Sequence, residues 1–70
     1  MPHVHSIWCV TETGVFTNPR KFYGRTRNGV LKRFIRNSND EDADTVADHL
    51  AVMSNYTIIG IHYNIVQFDI

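Results

Sequence analysis

The sequence predicts a small α+β domain spanning residues 1 to 70, with one helix packed on one face of an antiparallel sheet in the order β-β-β-α-β. Three observations lead there. HVHSIWCV alternates in side-chain character, Asn28-Gly29 sits between β-type residues, and an apolar stripe at helical spacing follows Ser38.

In the first segment Val4, Ser6, Trp8 and Val10 share one face, and His3, His5, Ile7 and Cys9 share the other, the period-two pattern of a strand. Residues 11 to 20 carry Gly14 and Asn18-Pro19 and are expected to form a connecting loop anchored by Val15-Phe16. Asn28-Gly29 then predicts a β-hairpin, because a type I′ turn needs positive φ at both central positions. Ser38-Asn39-Asp40-Glu41 fits a capping box with Ser38 at the N-cap. Ala43, Val46, Ala47, Leu50 and Met53 extend the helix that follows, and Asn55 stops it. The final segment, YTIIGIHYNIVQFDI, is strand-like. Its apolar phase shifts from Ile59, Ile61, Tyr63 and Ile65 to Val66, Phe68 and Ile70, which predicts a bulge or bend near Asn64. With a single helix to cover the sheet, the opposite face is expected to be open.

The Asn-Gly register divides the hairpin into two faces. Phe22, Gly24, Thr26, Leu31, Arg33 and Ile35 are expected to meet the helix. Lys21, Tyr23, Arg25, Arg27, Lys32, Phe34 and Arg36 fall on the other face and form the candidate binding surface: five cations around a cross-strand Tyr23–Phe34 pair. Cations beside aromatics suit phosphate backbones and unstacked bases, and they equally suit an acidic protein surface. The bland alternatives are a solvated face, with basic stems covering the aromatics, and neutralisation by the acids that follow.

Charge supports a contact role. The chain carries seven Lys and Arg and seven Asp and Glu, so its formal charge is zero, yet every Lys and Arg lies between Arg20 and Arg36. Five of the acids lie between Asp40 and Asp48. A single cysteine, Cys9, excludes an internal disulfide framework and fits a reducing, cytoplasmic setting. No apolar run approaches the roughly 20 residues that span a bilayer, and MPHVHSIW lacks the regions of a signal peptide. The sequence contains no Ser/His/Asp set, paired buried carboxylates, Gly-rich phosphate loop or cysteine pair, so neither catalysis nor a cofactor is expected. His3 and His5 share a strand face, with His62 as a third candidate metal ligand; an ordinary terminal segment explains them as well.

The order of strand, Asn-Gly hairpin and SNDEDADTVADHLAVMSNYTIIGIHYNI resembles, over residues 21 to 66, the layout of small phage-encoded inhibitors of bacterial RNA polymerase and of CRISPR–Cas complexes. The resemblance lies in pattern alone and carries over no functional residue. It implies a non-enzymatic protein, acting in the host cytoplasm, that blocks a host protein or ribonucleoprotein complex by occupying a charged surface. Two other readings remain: a nucleic-acid binder using the same sheet face, and a homodimer paired through the long C-terminal strand.

Overall fold

The computed structural model describes residues 5 to 70. They form β1 (Ser6–Thr13), β2 (Arg20–Gly24), α1 (Arg27–Ser38), α2 (Ala43–Leu50), β3 (Asn55–Ile58) and β4 (Ile61–Asp69). The α+β class and the antiparallel sheet are as expected. The element order β-β-α-α-β-β replaces β-β-β-α-β, and two helices cover the sheet rather than one. The strands lie in the order β2-β1-β4-β3, every neighbouring pair antiparallel.

The main correction concerns residues 27 to 38, which are helical. Thr26 is extended and acts as the N-cap, its side-chain oxygen accepting from the Gly29 N–H at 2.9 Å. Asn28 and Gly29 occupy the first helical turn, and no hairpin turn exists there. Val30, Leu31, Phe34 and Ser38 are buried on one side of α1, the 3.6-residue spacing that a two-residue alternation cannot produce. Ser38 therefore ends α1 rather than capping a later helix, and Asn39 closes it in the left-handed conformation at φ 57°.

A connector of residues 39 to 42 leads into α2, where Ala43, Val46, Ala47 and Leu50 are buried as the stripe predicts. Met53 lies beyond the helix and is part-exposed, and Asn55 opens β3. The predicted single last strand is a hairpin. Ile58 pairs with Ile61 across Ile59-Gly60, both at positive φ (50° and 76°), so the type I′ signature belongs here instead of at Asn28-Gly29.

β1 and β4 stay in step from Ser6↔Asp69 to Thr13↔His62, with no bulge near Asn64. The change of apolar phase has another cause. Tyr63 and Ile65 face the helices, whereas Val66 and Phe68 face the open side of the same regular strand. In the loop before β2, Val15 and Phe16 are exposed and anchor nothing.

The core lies between the helices and one sheet face: Val10, Val30, Leu31, Phe34, Ala43, Val46, Ala47, Leu50, Tyr63 and Ile65. Phe34 is its hub, meeting Phe22 and Tyr63 edge-on at centroid distances of 5.3 and 5.6 Å. α1 packs over β2 and β1, and α2 over β3 and β4. No helix among the described residues is long and apolar enough to cross a membrane.

Candidate functional site

The seven residues of the predicted basic-aromatic face do not share a surface. Lys21 and Tyr23 lie on the open sheet face, because Tyr23 pairs with Cys9 on that side of the β2–β1 ladder. Phe34 points the other way, into the core. Lys32 and Arg36 stand on the outer side of α1, opposite Val30, Leu31 and Phe34. Arg33 stands exposed on α1 beside them, although the hairpin register had turned it toward a helix. The spacing of Lys32, Arg33 and Arg36 is i, i+1, i+4, so a helical period would have grouped them from sequence.

Arg27 is a structural residue. Its guanidinium stacks over Trp8 at 4.7 Å and donates to the Leu50 carbonyl at 2.6 Å. That carbonyl belongs to the last turn of α2, where the helix dipole favours a cation. The contact offsets the placement of a positive charge in the first turn of α1 and ties the start of one helix to the end of the other.

Arg20 also has an internal role. It donates to Glu12 at 2.7 and 3.0 Å and to Asp40 at 2.8 Å, while the Tyr63 hydroxyl donates to Asp40 at 3.0 Å. The network pins the connector between the helices to three strands. Burial pushes the Glu12 carboxyl above its usual value of 4.5; the Arg20 hydrogen bond opposes this and Asp40 adds to it. Burial and the hydrogen bond to Asp40 likewise raise the Tyr63 phenol. The native state thus binds a proton on Glu12 more tightly than the unfolded chain does. The stability this contributes is present at low pH and is lost as pH rises from 4.5 through the folded-state value. Thermal melts of wild type and Glu12→Gln over that range are expected to diverge, the wild type losing ground as pH rises. Parallel curves would exclude Glu12 as the source.

The remaining cations, Lys21, Arg25, Lys32, Arg33 and Arg36, are exposed and make no ion pair among the described residues. They all belong to β2, α1 and the link between them. The acids Glu41, Asp42, Asp44 and Asp48 belong to the connector and α2. Segregation along the chain therefore becomes two charged halves of one molecule. Among the described residues, neutralisation of the basic segment by the following acids is limited to Arg20–Asp40.

Two recesses flank the basic half. One, of about 300 Å³, is lined by His5, Ser6, Ile7, Arg25 and Ile70; the other, of about 260 Å³, lies on α1 between Lys32, Ile35 and Arg36. On the open sheet face Tyr23, Cys9 and Val66 form a cross-strand row beside the Ile7–Phe68 pair. The phase change in β4 was the sequence signal for this apolar patch.

His3 lies outside the described residues. His5 precedes β1 and His62 pairs with Thr13 at its far end, so the two are separated by the length of a strand and cannot share an ion. Among the described residues no three His, Cys, Asp or Glu side chains are grouped to hold a metal. What the surface offers chemically is cationic donors, unpaired among the described residues, on a helix and an adjoining strand. Comparison with protein-family models, curated proteins and solved structures finds no match for the chain.

Proposed function

We propose that this protein is a small non-enzymatic binding protein that docks on an anionic surface of a protein or ribonucleoprotein complex through its basic half, with Lys32, Arg33 and Arg36 of α1 at the centre and Lys21 and Arg25 at the flank. The observation that carries the reading is five exposed cations, on β2, α1 and the link between them, that make no ion pair among the described residues. Lys32 and Arg36 stand one helical turn apart, a like-charged i, i+4 pair that costs about 0.2–0.5 kcal/mol in an isolated helix. A domain of this size has little stability to spare. An anionic partner turns that cost into attraction and steers encounter.

The resemblance, whose Asn-Gly hairpin is replaced by α1 and whose acid-flanked helix and following strand remain, points the choice of target to a phage inhibitor's host machinery, bacterial RNA polymerase or a CRISPR–Cas complex. A protein surface is favoured over naked nucleic acid by the placement of the aromatics. Phe34 is buried, and Tyr23 and Phe68 lie on the sheet face turned away from α1. Those three aromatics are therefore not set beside the α1 cations as the stacking platform that single-stranded binders combine with their basic groove.

The test is affinity purification from a bacterial lysate, wild type against Lys32→Glu/Arg33→Glu/Arg36→Glu. The triple reversal is expected to weaken capture of the complex by about tenfold or more, given roughly 0.5–1 kcal/mol per interfacial charge. Undiminished capture would remove α1 from the interface. Tight binding of the purified protein to bare DNA or RNA, falling steeply with salt, would favour the nucleic-acid reading instead.

A further inference from the structure

The β3–β4 tip carries an unexplained feature. Ile59 adopts φ 50° and is 81% exposed. A β-branched residue at positive φ is a genuine outlier, and the two-residue turn that it occupies is best served by Asn-Gly. Ile59 stabilises neither the turn nor the core. Strained residues of this kind cluster at active sites, ligand clamps and switch regions, so the outlier points to a role for the tip. Beside the tip, a cleft of about 250 Å³ runs between Ile58, Ile59 and Ile61 on one side and Asp40, Glu41 and Asp42 on the other. The tip is thus an exposed apolar knob with an acidic flank.

The same chain carries a surface of the opposite kind. The groove on α1 has Ile35, 37% exposed, as its apolar contact, with Lys32 and Arg36 as basic walls. Apolar knob and acidic rim match apolar floor and basic rim. Glu41 and Asp42 have no ion-pair partner among the described residues, and neither do Lys32 and Arg36. A chain of zero formal charge that keeps such halves apart is complementary to itself.

We propose that this protein associates with a second copy of itself, the Ile59 tip of one copy seating on the Lys32–Ile35–Arg36 groove of the other while Glu41 and Asp42 meet Lys32 and Arg36. If the contact is returned between the same two copies it closes a two-fold dimer; otherwise it continues head to tail. A tip-in-groove contact is small, so the association is weak, concentration-dependent and salt-sensitive. The inference goes beyond the docking role and shares only α1 with it, so a second copy and an anionic partner compete for Lys32 and Arg36. Mass in solution is measured without any partner. Failure there leaves docking intact, and loss of docking with association preserved leaves this inference intact.

The experiment is sedimentation equilibrium at low salt from about 10 μM to 1 mM, the range of weak protein contacts. The mean mass is expected to rise above the 8.1 kDa monomer and to return to it in high salt. Ile59→Asn is expected to remain monomeric while melting at a higher temperature, because Asn accepts positive φ. Lys32→Glu/Arg36→Glu and Glu41→Lys/Asp42→Lys are each expected to be monomeric alone and to regain association when mixed in equal amounts, with circular dichroism verifying their folds. Monomeric mass of the wild type throughout, association that survives Ile59→Asn, or a mixture no heavier than its components would overturn the proposal.

Discussion

Phe34→Ala is expected to cost about 3–5 kcal/mol, enough to unfold much of the protein at ambient temperature. Phe34 is fully buried, and its ring fills the space between Phe22 of β2 and Tyr63 of β4 under the middle of α1. Truncation removes two edge-to-face contacts and opens a cavity where helix and sheet meet. Neither neighbour can collapse into it without releasing its own strand. A domain of 70 residues has a core too small to absorb that loss. Urea titration followed by circular dichroism measures the change. Phe34→Leu, which keeps most of the apolar volume, is expected to retain a cooperative transition at a lower midpoint. A cost below about 1 kcal/mol for the alanine variant, typical of a surface site, would refute the helical placement of residues 27 to 38.

Gly24→Ala is the second large effect, at about 1–3 kcal/mol. A Cβ at Gly24 would lie 2.6 Å from the Val30 backbone nitrogen and 2.8 Å from its Cα. These are backbone atoms in the first turns of α1, so no side-chain rotation relieves the clash. The helix must move off the end of β2, loosening the contacts made by Val30 and Phe34. Gly24 is present because strand and helix approach too closely there for a side chain. The denaturation midpoint is expected to fall with an unchanged slope. An unaffected midpoint would show that α1 does not rest on β2 at this point.

Both predictions fall in the region where reading from sequence failed, and the failure has a physical origin. GVLKRF carries a helical period, Val30, Leu31 and Phe34, which competes with the hairpin signal of the Asn28-Gly29 that opens it. Asn28-Gly29 tipped the balance toward a hairpin, yet Thr26-Arg27-Asn28-Gly29 is also a workable helix start once the Thr26 hydroxyl accepts from the Gly29 N–H. Choosing the strand period gathered Lys21, Arg25, Arg27, Lys32 and Arg36 onto one face, whereas they belong to β2, α1 and the link between them. Phe34 moved outward, and Arg33 was turned inward. Arg27 was assigned to a partner, although it serves Trp8 and the end of α2.

By itself the sequence determined the α+β class, the alternation of β1, the apolar stripe of α2 and the separation of charge into a basic and an acidic half. These rest on local pattern or on composition along the chain, and no distant contact is needed to express them. Tertiary structure alone decided that residues 27 to 38 are a helix, that β2 pairs with β1 across the long loop, and that the type I′ turn falls at Ile59-Gly60. Local preferences separating helix from hairpin amount to about 1 kcal/mol. Burying Val30, Leu31 and Phe34 against β1, β2 and β4 contributes about 1.5–3 kcal/mol for each side chain, and only the helix buries all three at once.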